Sequence, residues 1–393
     1  MRHETLAIIG ASGFVGSALC ERLHFEGCWK FLPFIHSSGA AARLARLPLA
    51  ETPRVLDLLD FDALRATLRD DMIVVNCGRG DNQALSRGFQ NLVQAARAAK
   101  VRKFIHIGSV AIYGDDPLPA SADPSCPVNA QATDYGLVKQ RQDELVFRLH
   151  AGGVPSYILC PSNIAGPYGL TSVGLVQRLA ADPLPLVDEG RYPCNLVHVD
   201  NLVEAILTAA ASDRGAGRRY FVNELEPISW KRYFDDFSRL LGIRATYLPV
   251  SRDAVIASMA PVPVASRGLY EHARIALSGE FRRTLLMMPV LEWLNGRAAA
   301  AFEAMPGGWR RSIRRKFERP VRLPKTPAGP SLSDAWVRLQ ARRPFHSPET
   351  LVQELAFKPA LTYEKGLELT AQWFRLFGIG AARPGYCHDA FSG

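Results

Sequence analysis

Three side chains in this 393-residue chain are spaced to move a proton: Ser109, Tyr135 and Lys139. Tyr135 and Lys139 stand four apart in a segment that reads as a helix, so they share one helical face. A phenol with a pKa of about 10 is a poor acid or base at neutral pH. A lysine held positive one turn away lowers that pKa. Ser109 closes a strand 26 residues before Tyr135 and can orient a substrate oxygen beside the phenol. Such a trio gives a proton to a carbonyl or takes one from an alcohol. Tyr-x-x-x-Lys alone arises by chance in many helices, where it is a core aromatic and a surface charge. Order and spacing give it meaning here.

A proton shuttle of this kind works beside a hydride carrier. The start of the chain offers a place for one. Thr5–Ile9 is an apolar run that ends in Gly10-Ala11-Ser12-Gly13-Phe14-Val15-Gly16, and Val15, Leu19 and Leu23 then follow on one helical face. Strand, tight turn and helix are the context in which glycines cradle a pyrophosphate. Gly10 permits the turn, Gly13 lets the backbone approach, and Gly16 lets the helix pack closely. Ser12, Phe14 and Val15 lie with them at a helix N-terminus that favours anions. A second strand over 31–36 runs into His36, Ser37 and Ser38, with Arg43 beyond, where an NAD site usually has an acid. That favours NADP, with NAD the other reading and a solvated helix the alternative role for Arg43. The fourth strand, 72–78, closes in Cys77 and Gly78, small enough for a cofactor to lie across.

The elements that must hold these groups alternate. Strands over 55–58, 72–78, 101–109, 157–161, 195–200 and 218–223 are interleaved with helices over 83–99, 134–150, 201–211 and 229–241. On the 83–99 helix, Leu85, Phe89, Leu92, Val93 and Ala96 form the buried stripe. Alternation of this kind gives an α/β, doubly wound parallel sheet with its ligand at the carboxyl ends of the strands. Hydrophobic residues make up 48% and charged residues 22%, ordinary for a soluble globular chain. The seven cysteines form no Cys-x-x-Cys pair, so neither a disulfide framework nor a metal site is expected, which fits a cytoplasmic protein. No apolar run reaches the roughly 18 residues of a membrane span. The net charge of +9 is local: between Gly308 and Lys325 eight bases stand against one acid, Glu318.

The sequence resembles the extended short-chain dehydrogenases/reductases of the NAD-dependent epimerase/dehydratase family. The matching pieces are Gly10–Gly16, Asp57-Leu58, Lys103-Phe-Ile-His-Ile-Gly-Ser109-Val-Ala-Ile-Tyr-Gly114, Tyr135-Gly-Leu-Val-Lys139, Pro161-Ser-Asn163 and His198-Val-Asp200. The resemblance implies a Rossmann-type domain over 1–165, to which 196–222 return. It implies a smaller, mostly helical substrate domain over 166–195 and 223–393. It also implies Ser109, Tyr135 and Lys139 as catalytic, Asp57 and Leu58 near the adenine, and Pro161, Asn163 and Ile164 near the nicotinamide, with Asn163 meeting substrate. Family members commonly dimerise through the helix that carries Tyr135; the residues themselves leave a homodimer open.

Departures from the family pattern narrow the chemistry. Val110 and Ala111 stand where sugar dehydratases carry an Asp-Glu pair, so they face substrate without acid or base function. Cys194 stands where nucleotide-sugar epimerases commonly have a diphosphate-binding arginine, Cys160 replaces another arginine, and Leu85 an asparagine. The stretches Val199–Ala205 and Arg219–Trp230 are more similar to the 3β-hydroxysteroid dehydrogenase-like branch. Together these point to hydride transfer on a hydrophobic or lipid-like alcohol or ketone. The alternatives are a nucleotide-sugar epimerase with tightly bound NAD, and a non-enzymatic cofactor-binding member. An insert over about 251–345 has no family counterpart. Within it Trp309, Ile313 and Phe317 recur every four residues among arginines, the pattern of a basic amphipathic helix. Residues 309–325 then either cover the active site as a solvated basic helix or lie on an anionic membrane surface, which would make the protein peripheral. No nucleic-acid-binding module accompanies the patch.

Overall fold

The computed structural model describes residues 4–79, 84–126, 128, 134–180, 183–259 and 334–379. The chain divides into two compact units, Met1–Ile256 with Ala335–Gly393, and Ala257–Asp334. Most of the second unit, including the expected basic helix over 309–325, lies outside the described residues.

In the first unit, strands β1 (Thr5–Ile9), β2 (Lys30–Ile35), β3 (Arg54–Val55), β4 (Met72–Asn76), β5 (Lys103–Ile107), β6 (Ser156–Pro161) and β10 (Arg218–Val222) form one sheet, ordered β10-β6-β5-β4-β1-β2-β3. Every pairing in it is parallel. β1, β4, β5 and β6 are buried along their whole length, because helices cover both faces. One face carries α1 (Phe14–Glu26) and α6 (Val199–Ala211). The other carries α2 (Phe61–Thr67), α3 (Phe89–Ala98) and α4 (Asp134–Ala151). The strand order reverses between β1 and β4, which makes their carboxyl ends the crevice for a ligand.

Two expectations change in detail. The third strand, expected over 55–58, is only Arg54–Val55, so Asp57 and Leu58 lie in the turn beyond it. The helix expected over 83–99 is α3, entered through a π-helical turn at Ala84–Gly88, and its expected stripe is buried throughout.

A separate apolar cluster joins α5 (Leu170–Ala180), β8 (Leu184–Val187), α7 (Trp230–Leu241) and a C-terminal helix, Tyr363–Leu376. Trp230, Phe234 and Phe237 are fully buried in it, and the C-terminal helix adds Leu367, Ala371 and Phe374. Two small parallel pairs, β7 (Asn163–Ala165) with β9 (Leu196–His198) and β8 with β11 (Tyr247–Val250), connect this cluster to the strand ends. The last expected part of the insert is described: Ala335–Gln340 is helical and packs on β8.

Candidate active site

Ser109 stands two residues past β5 and caps a 3-10 turn, Val110–Tyr113; its Oγ accepts the Ala111 N–H at 3.2 Å. Tyr135 and Lys139 leave the same face of α4. The Tyr135 phenol shares a hydrogen bond with the Ser109 hydroxyl. Lys139 is 5% exposed, and its Nζ donates to the Ile107 carbonyl at 2.9 Å and lies 6.0 Å from the Tyr135 ring centre. The structure therefore brings the three residues together around the end of β5.

Their electrostatics differ from the simple lysine-lowers-tyrosine picture. Desolvation pushes the Tyr135 phenol above its ordinary pKa; Arg79 and the Ser109 hydrogen bond pull it back. Arg79, just beyond β4, is a contributor that the spacing of Tyr135 and Lys139 does not reveal. Burial lowers Lys139 to about 8, and the Asp143 carboxylate opposes that fall. Cys77 is pushed up to about 12 by burial, so it remains a neutral thiol at the cofactor turn.

The glycine turn has the shape of a pyrophosphate cradle. Gly10 has φ +78°, and a Cβ there would lie 2.7 Å from the Gly78 Cα; one on Gly16 would lie 2.3 Å from the Gly10 carbonyl oxygen. No side chain caps α1 at Gly13, so its first N–H groups keep their hydrogen bonds for an anion. Ser12, Phe14 and Val15 sit at this end. Arg43 Nη1 donates to the Ser12 carbonyl at 3.3 Å, which ties the second-strand region to the turn. His36 and Ser37 are exposed just past β2. Asp57 is exposed beyond β3 and accepts the Leu59 N–H, while Asn91 of α3 donates to the Leu58 carbonyl at 3.0 Å. These residues fit a dinucleotide. Pro161 and Ile164 flank Asn163, whose Nδ2 donates to the Cys194 carbonyl at 2.5 Å.

A cleft of about 300 Å³ opens beside the trio, lined by Ser109, Val110, Ala111, Tyr135, Asn163 and Cys194. Its far wall was not legible in the sequence: Arg338, Leu339, Arg342 and His346 also line it, with Asp115. Arg342 Nη2 and Arg338 Nη1 bind the two Asp115 oxygens at 2.8 and 3.3 Å. His346 is held neutral, its pKa lowered to about 4 by burial. The signal available was a run of bases, Arg338, Arg342 and Arg343, in a stretch without a family counterpart. Arg219, on the neighbouring strand β10, sends its Nε to Asp143 of α4 at 2.7 Å. Among the described residues no group of three His, Cys, Asp or Glu could hold a metal ion.

Comparison with known proteins identifies the family and the fold. The model of the NAD dependent epimerase/dehydratase family matches residues 6–222. A 4-hydroxy-2-methyl-3-oxo-4-farnesyl-3,4-dihydroquinoline-1-oxide ketoreductase of Stigmatella aurantiaca is 23% identical over 61% of this chain and 73% of its own. A UDP-glucose 4-epimerase of Vibrio cholerae is 24% identical over 63% and 79%. The UDP-glucuronic acid 4-epimerase of Bacillus cereus, solved with UDP-glucuronic acid and NAD, shares the fold with a TM-score of 0.61 over 95% of this chain and 99% of its own, at 16% identity. The chain belongs to the NAD-dependent epimerase/dehydratase family and is an oxidoreductase of that family.

Proposed function

We propose that the chain interconverts a secondary alcohol and a ketone at Ser109, Tyr135 and Lys139, on a lipid-like substrate that carries a polar group. The observation that carries this reading is the convergence of the Tyr135 phenol, the Ser109 hydroxyl and the buried Lys139 at one end of a cleft. NAD(P), when bound, supplies or accepts the hydride. Ser109 orients the substrate oxygen, and Tyr135 gives it a proton or takes one away. Lys139 supports the negative charge that develops on the phenol. Val110, Ala111, Leu339 and Cys194 offer an apolar wall, while Arg338 and Arg342 offer donors to a polar group. The farnesyl-bearing substrate in the name of the Stigmatella relative supports a lipid-like body.

A second reading, a nucleotide-sugar epimerase, gains support from one observation. Arg338 and Arg342, sharing the Asp115 carboxylate, bring one net positive charge to the wall where Cys194 offers none. The nucleotide carried by the purified protein separates the two. An epimerase returns its hydride to the same substrate and keeps one NAD, whereas an alcohol/ketone oxidoreductase exchanges cofactor each cycle. Denaturing fresh protein is expected to release far less than one nucleotide per chain; stoichiometric NAD would replace the first reading by the second.

NADP is the favoured cofactor because Arg43 reaches the glycine turn while no acid follows β2. Replacing the arginine in a charge-assisted phosphate contact costs about 1.5–3 kcal/mol. Arg43→Ala is therefore expected to weaken NADPH binding about 10- to 100-fold and NADH binding less than about threefold. Equal losses in a fluorescence titration would remove the NADP preference.

A further inference from the structure

Behind Lys139 lies a buried polar cluster that the proton-transfer chemistry has not used. Tyr135, Lys139 and Asp143 form one stripe along α4, and Asp143 is fully buried. Its Oδ2 takes the Arg219 Nε–H at 2.7 Å, while Arg219 also stacks 4.9 Å from the Phe147 ring centre. Its Oδ1 has no hydrogen-bond partner among the described residues. His106 of β5 comes nearest, with Nε2 at 4.0 Å and likewise unpartnered.

The tautomer of His106 follows from its other side. Asn76 Oδ1 accepts the Gly78 N–H at 3.1 Å, so the Asn76 NH₂ group faces His106 Nδ1, also at 3.1 Å. Nδ1 is the acceptor, and the ring proton sits on Nε2, toward Asp143. Burial holds His106 well below its ordinary pKa, so the ring is neutral. Room for the cluster comes from Gly108, where a Cβ would lie 2.8 Å from Ile158 and 2.9 Å from the Cys160 sulfur.

We propose that Asp143 is a positioning residue whose buried carboxylate is the counter-charge that keeps Lys139 an ammonium ion beside Tyr135. The proposal rests on the reading of Tyr135 and Lys139 as the proton-handling pair. Lys139 is faced by Asp143 from its own helix, by Cys77 and Arg79 from the end of β4, by the neutral His106 from β5, and by Cys160 from β6, with Tyr135 one turn away. Burial keeps the Cys77 and Cys160 thiols and the Tyr135 phenol protonated, and Arg79 is a cation. Of these groups Asp143 alone is an anion at neutral pH. Asp143 in turn is faced by Arg219, Lys139, Glu144, Tyr113, Cys160 and His106. Burial raises it to about 6 and Arg219 opposes that rise, so it is ionised wherever Lys139 titrates. Arg219 fixes the carboxylate from one side; on the other, His106, held by Asn76, stands 4.0 Å away without a hydrogen bond to it.

The titration of Lys139 itself tests this without a known substrate. The chain has nine lysines, so side-chain NMR of lysine-labelled protein can follow each one, with Lys139→Met giving the assignment. The wild-type midpoint is expected at about 8. Asp143→Asn is expected to lower it by about one pH unit or more. Asp143→Glu, which keeps the charge, is expected to restore it. Asp143→Asn leaves Arg219 buried without its partner, so Asp143→Asn with Arg219→Gln is the companion variant; it also loses a cation near Lys139, so a smaller drop in the same direction is expected. A carboxylate that only holds the fold together would lower Tm and leave the Lys139 midpoint where it was. An unchanged midpoint in either Asn variant overturns the proposal, as does a drop in Asp143→Glu equal to that in Asp143→Asn. Full turnover in Tyr135→Phe would instead overturn the reading of the catalytic pair, an outcome that the Lys139 midpoint does not share.

Discussion

Tyr135→Phe is expected to lower turnover by about 10²- to 10⁴-fold, the usual worth of a positioned general acid or base. The substitution removes one oxygen. The ring stays against α4, and the Ser109 hydroxyl keeps its bond from the Ala111 N–H. NAD(P)H binding is therefore expected to change by less than about threefold, and Tm hardly at all, since surface-side changes of this size cost about 0.5 kcal/mol or less. The measurement is NAD(P)H oxidation at 340 nm with a panel of apolar ketones bearing a polar group. Cofactor titration on the same samples keeps the two effects apart. A variant that binds cofactor and reduces ketone at the wild-type rate would remove Tyr135 from the chemistry. The pH dependence has a defined sign. Lys139 is an ammonium ion below about 8 and loses its proton above it, so the support it gives the phenol is present below about 8 and fades as pH rises through that value.

The parts of this site that follow local periodicity were legible in the sequence. Tyr135 and Lys139 share a helix face because four residues make about one turn. Ser109 follows a strand that is buried along its whole length because both its faces are covered, although it carries Lys103 and His106. The glycines of the first turn are recognisable because their spacing serves one close approach. The electrostatic frame was not legible in the same way. Asp143 and Arg219 are 76 residues apart, and it takes both the packing of α4 on β6 and the pairing of β6 with β10 to bring them together. No local pattern reports such a contact. Arg338 and Arg342 read as surface charge because they lie beyond the recognisable elements, yet they line the cleft. The third strand was overdrawn at its far end. It pairs only with β2 at the sheet edge, and an edge strand can be short without costing the core.

Gly10→Ala and Gly27→Ala together measure how tightly the cofactor turn is built. Both residues adopt a left-handed backbone, with φ +78° and +63°, so alanine is strained at both by about 1–2 kcal/mol. Their surroundings differ. A Cβ on Gly27, the C-cap of α1, meets nothing within 4 Å. A Cβ on Gly10 would lie 2.7 Å from the Gly78 Cα and 2.8 Å from its nitrogen, both backbone atoms that cannot rotate away. Relief requires the β1 and β4 ends to part, at a further cost of about 1–3 kcal/mol for overpacking. Parting them would also pull Gly78 from Asn76 and widen the crevice in which the phosphates fit. Gly27→Ala is therefore expected to lose about 1–2 kcal/mol in denaturant unfolding and to bind NAD(P)H like the wild type. Gly10→Ala is expected to lose about 2–5 kcal/mol and at least tenfold in cofactor affinity. Equal losses from both variants, with cofactor binding intact in each, would mean that the contact between the two turns is slack and that Gly10 serves only the bend of the chain.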